Sequence, residues 1–281
     1  MNGLRHGPGE DEARLNQFEY IDGQLRPTHA ALFERFAAAN EAAIGAGQPA
    51  LDLPYGPHPR QTMDLFRAAG ARRAVVAYLH AGYWQSRDKS GFRFLAPPLT
   101  DDGFDVALIN YPLSPELGVM EIVDATAAAL PVLAELTANA PLILVGHSAG
   151  AQIAVELAMA APTVTIAAIL SISGVFDLEP LLDTTVNAKL GLDPTTARAA
   201  SPIHRVRPGA PPTLFAVGAF ETESFQRQSS AMSRAWTEAG NTATDLIVPA
   251  ADHFSILAEL SGEAGLLRTA LGQLGQPLET V

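Results

Sequence analysis

The chain has 281 residues, of which 48% are hydrophobic and 17% charged, so it can bury a core and is neither disordered nor fibrous. Eighteen Lys and Arg against thirty Asp and Glu give a net charge of −12, which disfavours nucleic acid and anionic lipid surfaces as partners. The sequence contains no cysteine, which excludes disulfides, thiolate metal ligands and a cysteine nucleophile. Any covalent catalysis must therefore use another atom.

The first fifty residues contain one segment in which apolar side chains recur at helical spacing, from Pro27 to Ile44. Residues 1–12 lead into no apolar run that could serve as a signal peptide, so we expect a cytoplasmic protein. Two uncharged stretches, Leu136–Val155 and Leu157–Phe176, contain prolines and polar residues, which indicate buried strands and helices instead of membrane spans. We expect residues 1–50 to form a helical extension that packs on a domain of residues 51–281.

Short apolar runs rich in β-forming residues follow from residue 51. Two of them, at Leu51–Gly56 and Thr62–Phe66, predict a leading hairpin. The later predicted strands are Ala74–Leu79, Val106–Asn110, Leu142–Val145, Ile166–Ile172, Thr213–Val217 and Thr244–Val248, and the helical segments between them include Val119–Thr137, Ala151–Ala161 and Ser224–Ala239. Continuous apolar strands that alternate with helices predict an α/β fold, with a mostly parallel central sheet and helices on both faces.

Residues 177–207 interrupt this alternation with a stretch rich in Leu, Thr and Pro. We interpret the stretch as an insertion of short helices over the edge of the sheet, and therefore as a small helical lid. Functional residues should collect at the carboxyl ends of the parallel strands.

The pentapeptide Gly146-His147-Ser148-Ala149-Gly150 lies between an apolar strand and an Ala-rich helix. This context is typical of a nucleophile elbow, in which a strained turn exposes the serine hydroxyl and small neighbours let strand and helix approach. A glycine-rich turn with a capping serine is the alternative. The flanking strand and helix favour Ser148 as a nucleophile, and we expect His147 to be structural or to line the pocket.

A nucleophilic serine needs a base and an acid, and enzymes with this elbow place serine, acid and histidine in that order along the chain. His253 lies in the loop after the last predicted strand, and Glu221 is the first acid after the preceding strand. Glu223 remains an alternative to Glu221. Asp252 is expected to cap the helix that begins near Phe254.

The segment His80-Ala81-Gly82-Tyr83-Trp84 follows the strand Ala74–Leu79 and should face the nucleophile. Gly82 permits a turn that directs its own N–H and that of Tyr83 inward, where they can stabilise an oxyanion together with the N–H of Ala149. His80 is expected to fix this loop. The predicted aromatic wall of the substrate pocket comprises Trp84, Phe176, Phe225 and Phe254.

Five segments together resemble the α/β-hydrolase arylformamidases, also called kynurenine formamidases, which are related to hormone-sensitive-lipase-like esterases. They are His80–Trp84, Asn110–Glu116, Gly146–Gly150, Ser173–Leu178 and Asp252–Phe254. The resemblance extends over about Leu53 to Leu260. Two positions depart from the family pattern: Ala81 stands where a glycine is usual, and Glu221 stands where Asp is expected.

The resemblance implies hydrolysis of an N-formyl arylamine or a similar aryl amide through an acyl-serine, without metal or organic cofactor. It implies that Ser148, Glu221 and His253 form the triad. A carboxylesterase acting on short-chain or aryl esters is the alternative function, because it would use the same residues. A non-catalytic protein on the same fold is disfavoured, since nucleophile and base are both present. We expect a small-molecule aryl amide or ester as partner, and a homodimer as the commonest oligomer.

Overall fold

Eight strands form one sheet in the computed structural model, which describes residues 8–160 and 163–274. In chain order they are β1 (Ala50–Pro54), β2 (Thr62–Phe66), β3 (Ala74–Leu79), β4 (Phe104–Ile109), β5 (Leu142–His147), β6 (Ile166–Ile172), β7 (Thr213–Gly218) and β8 (Ala243–Val248). Across the sheet the order is β1-β2-β4-β3-β5-β6-β7-β8. The pairs β1–β2 and β2–β4 are antiparallel, and all the others are parallel.

The centre of the sheet is covered on both faces. Every residue of β3, β4 and β5 is buried, as the continuous apolar runs predict. Along β3, Val75, Ala77 and Leu79 pack into one apolar cluster, while Val76 and Tyr78 pack into the cluster on the opposite face. The sheet therefore provides a rigid support for the loops at its carboxyl edge.

Helices flank the sheet and cross its carboxyl edge. The α-helices are α1 (Pro8–Tyr20), α2 (His29–Gly47), α3 (Ala96–Asp101), α4 (Val119–Ala127), α5 (Ala129–Leu136), α6 (Ala149–Met159), α7 (Asn187–Leu190), α8 (Pro194–Ala199), α9 (Glu223–Glu238), α10 (Ala258–Ser261) and α11 (Leu266–Leu274). Short 3₁₀ turns lie at Asp22–Gln24, Lys89–Leu95, Glu179–Asp183, Pro202–His204 and Ser255–Leu257. No helix in the described part of the chain is long and apolar enough to cross a membrane.

The predicted α/β fold and the leading hairpin are confirmed, and the helical segment predicted over 119–137 is present but interrupted. The structure divides it into α4 and α5 at Ala128. Pro131 explains the break, since it lacks an N–H and its ring would clash with the carbonyl of Ala127 in a continuous helix.

Residues 177–207 contain α7, α8 and two 3₁₀ turns, and they pack beside α1 and α6. The Thr185 N–H donates to Gln17 Oε1 of α1 at 2.9 Å, and Gln152 Nε2 of α6 donates to the Ala200 carbonyl at 3.1 Å. These contacts fix the insertion against helices. Its role as a lid and the division of the chain at residue 50 stay predictions.

Candidate active site

Loops that follow three parallel strands, β3, β5 and β8, meet at one cavity of about 280 Å³. Ser148 and His253 both line it. The other lining residues come from the turn after β3, from the residue after His253 and from the N-terminal segment: Tyr20, Ile21, Gln24, Leu25, Arg26, His29, Phe33, Ala81, Gly82, Tyr83, Ser86, Arg87 and Phe254. The cavity thus brings the predicted nucleophile and the predicted base to one place.

Ser148 occupies a strained turn between β5 and α6, with φ 57° and ψ −118°. Its own N–H donates to the Ile172 carbonyl at 2.8 Å, which fixes the turn to the neighbouring strand. A Cβ on Gly146 would lie 2.3 Å from the Gly150 carbonyl oxygen, and a Cβ on Gly150 would lie 2.1 Å from the Leu79 carbonyl oxygen. The elbow therefore requires both glycines for close packing.

His253 and Glu221 form a buried pair, with 2.7 Å between Nδ1 and Oε2. Glu221 Oε1 accepts hydrogen bonds from Ser173 Oγ at 2.5 Å and from the Gly218 N–H at 2.8 Å. Glu223, the alternative acid, points into solvent from the first turn of α9 and pairs with Arg227. The structure brings Glu221 to the imidazole and keeps Glu223 away.

His147 supports the loop that carries His253. Its Nε2 lies 2.7 Å from the His253 carbonyl oxygen, and the two rings are 5.0 Å apart. Burial lowers the pKa of His147 well below its usual value, so the ring is neutral and Nε2–H donates to that carbonyl. His147 is not among the residues that line the cavity, and its contacts are those of a support.

The turn after β3, which contains the predicted oxyanion donors, has a positive φ at two adjacent residues. Gly82 has φ 135° and Tyr83 has φ 50°, and a Cβ on Gly82 would lie 2.1 Å from the Ser86 carbonyl oxygen. Within residues 8–160 and 163–274, no acceptor takes the N–H of Gly82 or of Tyr83. These donors lie at the cavity that holds Ser148.

His80 fixes this turn from beneath. Its ring stacks on Tyr111 with 4.2 Å between centroids, and its Nδ1 lies 2.7 Å from the Ala81 carbonyl oxygen. Burial lowers the pKa of His80 to about 4, so the ring is neutral at physiological pH. Its placement matches the structural role expected from the sequence.

Only one of the four residues predicted to form the aromatic wall lines the cavity. Phe254 lines the cavity, but Trp84, Phe176 and Phe225 are fully buried and do not line it. Trp84 has φ 56°, and its Nε1 donates to Gln152 Oε1 at 3.0 Å in the core. The prediction was wrong for these three residues for the same reason: each ring packs in the core.

Phe176 and Phe225 illustrate that packing. Phe176 lies edge-on to Phe215, with centroids 5.7 Å apart and an interplanar angle of 88°. Phe225 lies behind His253, with 4.6 Å between ring centroids, and its far side contacts Tyr20. Phe225 therefore supports the imidazole from the core side.

The N-terminal segment supplies cavity residues that sequence reasoning missed. His29 Nε2 lies 3.3 Å from Asp252 Oδ1, and its ring packs edge-on against Phe254 at 5.1 Å. Phe33 packs against Phe254 at 5.0 Å. The helical spacing of Leu32, Phe33 and Phe36 predicts a helix in this segment. Such spacing does not indicate which part of the molecule the helix packs against.

Asp252 caps the turn after His253, as the sequence predicted, by accepting hydrogen bonds from the N–H groups of Phe254 and Ser255.

Away from the cavity, Asp177, Glu179 and His204 each offer one ligand atom within 4.8 Å of the others. Sequence spacing did not predict this group, because His204 is brought to the two carboxylates by the turns of residues 177–207. Exposed acidic groups are common without an ion.

The fold and the strand–serine–helix elbow define an α/β-hydrolase. Residues 76–256 match the model of a family described as alpha/beta hydrolase fold. The kynurenine formamidase of Danio rerio is 30% identical over 250 residues, which are 83% of this chain and 84% of that protein. The kynurenine formamidase of Salmo salar is 29% identical over 252 residues, 84% of this chain and 85% of that protein. The chain belongs to the kynurenine formamidase family of α/β-hydrolases.

Solved structures share the fold. A proposed thioesterase from Silicibacter has a TM-score of 0.80 and 29% identity, with 89% of this chain and 96% of that chain covered. An esterase of the bacterial hormone-sensitive lipase family has a TM-score of 0.68 and 20% identity, with 97% of each chain covered. The protein is therefore a hydrolase with esterase-like neighbours.

Proposed function

We propose that the protein hydrolyses an N-formyl arylamine, with N-formylkynurenine as the first candidate substrate. The observation that carries the proposal is that Ser148 and His253, which pairs with buried Glu221, line one cavity in a chain of the kynurenine formamidase family. The rings of Phe33 and Phe254 line that cavity and suit a planar aryl group.

In the proposed mechanism, Ser148 Oγ attacks the formyl carbonyl while His253 takes the hydroxyl proton. The N–H groups of Gly82, Tyr83 and Ala149 stabilise the oxyanion, and Glu221 stabilises the imidazolium through Nδ1–H. The imidazolium then protonates the leaving arylamine, which departs and leaves a formyl-serine. Water attacks this ester with His253 again as base, formate is released and the serine proton is restored.

A carboxylesterase remains the second candidate, because the same residues would cleave an aryl ester and the cavity wall is largely apolar. The two functions differ in the relative kcat/KM for N-formylkynurenine and 4-nitrophenyl acetate. A formamidase should favour the first substrate and a carboxylesterase the second.

The mechanism is tested with Ser148→Ala, measured on both substrates beside Ser230→Ala as a matched control on the exposed face of α9. We expect Ser148→Ala to lower kcat by about 10³-fold or more, because the nucleophile is lost. Ser230→Ala should keep the wild-type rate. Hydrolysis by Ser148→Ala at close to the wild-type rate would refute the mechanism.

A further inference from the structure

The cavity that holds Ser148 differs in charge from the rest of the molecule. The chain has a net charge of −12, yet none of the described residues that line this cavity is an Asp or Glu. Two arginines, Arg26 and Arg87, do line it. An acidic protein that concentrates positive charge at its reaction cavity favours a negatively charged ligand there.

The two arginines differ in how their donors are used. Arg26 donates to three backbone carbonyls. The Arg87 guanidinium makes no hydrogen bond or ion pair with any residue in the described ranges. Its Cζ lies 4.8 Å from the Phe33 ring centroid and 5.3 Å from that of Phe254. Stacking of this kind covers the faces of a guanidinium and leaves its in-plane N–H donors available.

The backbone at Arg87 is held in a conformation that side chains rarely adopt, with φ 75°. Arg60 Nη2 donates to the Arg87 carbonyl at 2.8 Å, and Arg60 Nη1 pairs with Asp88 at 3.2 Å. A Cβ on Gly82 would lie 3.0 Å from Arg87 Cγ, so the stem of Arg87 packs against the turn that carries the proposed oxyanion donors. The strained turn therefore fixes Arg87 at the reaction cavity.

The charge of Arg87 acts at the elbow as well. It is one of the causes that lower the pKa of His147, the neighbour of Ser148, although burial is the largest. Arg87 also lines a second cavity of about 240 Å³ on the other side of Phe33 and Phe254. It stands between the two cavities.

We propose that Arg87 is a specificity-determining residue that binds a carboxylate on the substrate cleaved at Ser148. The assignment rests on the proposed function and adds to it the residue that recognises a substrate carboxylate. Two parallel N–H donors of a guanidinium match the two oxygens of a carboxylate, and this match is independent of the aryl group that the rings hold.

The test compares substrates that differ only in charge. The first pair is N-formylkynurenine and its carboxamide, and the second is 4-acetoxybenzoate and 4-acetoxybenzamide. The kcat/KM ratio of anion to amide is measured for wild type, Arg87→Met and Arg87→Lys. Methionine keeps an unbranched stem against Gly82 without the charge. We expect Arg87→Met to lower the ratio by about ten- to a hundredfold, with the amide little changed, and Arg87→Lys to lower it less.

The matched control is Arg198→Met, which removes an exposed guanidinium from residues 177–207 and should leave the ratio unchanged. High salt should lower the wild-type ratio and not that of Arg87→Met. An equal fall for both members of a pair would show a general electrostatic role at the oxyanion and overturn the proposal. An unchanged ratio would show that Arg87 only packs on the rings, and would overturn it too.

The two pairs separate this inference from the proposed function. If the wild-type protein cleaves the ester pair but not the formamide pair, the formamidase proposal is refuted. The kcat/KM ratio of anion to amide can then still be measured with the esters to test Arg87. Cleavage of formamides with no effect of Arg87→Met would refute Arg87 alone. Wild-type protein that cleaves neither pair would overturn both.

Discussion

At the scale of single residues, the two carboxylate oxygens of Glu221 have different partners. Oε1 accepts from Ser173 Oγ and the Gly218 N–H, and Oε2 faces His253 Nδ1. Two donors on one oxygen fix the plane of the carboxylate, so the other oxygen is directed at the imidazole. Ser173 is fully buried and has φ 52°, which indicates that its position is strained. It is a positioning residue for the proposed triad.

Ser173→Ala should therefore lower kcat by about tenfold, because Glu221 loses a charge-assisted hydrogen bond of about 1.5–3 kcal/mol. The matched control is Ser171→Ala in β6, since buried Ser171 Oγ has no hydrogen-bond partner among residues 8–160 and 163–274 and its loss should cost little. Steady-state kinetics measures both variants, alone and combined with Glu221→Gln. If Ser173 acts through Glu221, its effect disappears in the Glu221→Gln background, and a full additional loss there would contradict the role.

The sequence could predict that Glu221 lies beside His253, but not that Ser173 contacts Glu221. Glu221 is the first acid after β7, and the order of serine, acid and histidine singles out that loop. Ser173 reaches it from the end of β6, 48 residues earlier in the chain, through a contact between adjacent strands. No local pattern encodes such a contact, because it depends on strand order.

At the scale of secondary-structure elements, residues 19–33 form hydrogen bonds with the loops that surround the cavity. These residues comprise the end of α1, the connection to α2 and the first turn of α2. Tyr83 OH donates to the Tyr20 carbonyl at 2.5 Å, and Gln24 Nε2 donates to Thr222 Oγ1 at 2.5 Å beside Glu221. His29 pairs with Asp252, next to His253. These contacts therefore connect the loops that follow β3, β7 and β8.

Tyr83→Phe removes the bond to the Tyr20 carbonyl and keeps the backbone N–H of residue 83. We expect a severalfold rise in KM with a small change in kcat, because the segment forms the cavity wall. Hydrogen exchange in residues 19–33 should become faster, since local opening costs less free energy. Tyr78→Phe is the control, because the buried Tyr78 hydroxyl has no hydrogen-bond partner in the described part of the chain. Unchanged exchange in residues 19–33 of Tyr83→Phe would contradict this coupling.

Helical spacing predicted α2 over Pro27–Ile44, close to the observed His29–Gly47, but not its place over the cavity. The prediction that Trp84, Phe176 and Phe225 line the cavity was wrong for a similar reason. Proximity in sequence to a catalytic loop favoured Trp84, whereas a positive φ turns its ring into the core toward Gln152. Backbone reversals of this kind are set by tertiary packing and leave no periodic signal.

At the scale of the whole molecule, two histidines are buried in the neutral state. Burial lowers the pKa of His80 to about 4 and that of His147 well below its usual value. The unfolded chain binds protons on these groups below about pH 6.5 and the native state does not, so stability is full above that pH and falls as the pH drops toward 4. Protonation of Asp88 causes a separate loss of folding stability at lower pH. Burial opposes the Asp88 charge, but hydrogen bonds from Asn110 and Ser90 lower its pKa to about 2.

The free energy of unfolding should fall by about 3 kcal/mol between pH 6.5 and pH 4 through His80 alone, from 1.36 kcal/mol per pKa unit. Urea unfolding at a series of pH values measures this slope. His80→Asn can keep a donor to the Ala81 carbonyl and should make the slope shallower, while His204→Asn, at an exposed position, should not. An unaltered slope in His80→Asn would contradict the linkage.

The contacts of residues 19–33 with the loops at 219–224 and 252–254 have a consequence for biosynthesis. The N-terminal segment is translated well before its partners, since Gln24 and Thr222 are 198 positions apart and His29 and Asp252 are 223 positions apart. The loop at 252–254 must then be translated before the cavity wall can close. A nascent chain stalled in β8 should be inactive, and enzymatic turnover should begin only after the last strand has left the exit tunnel.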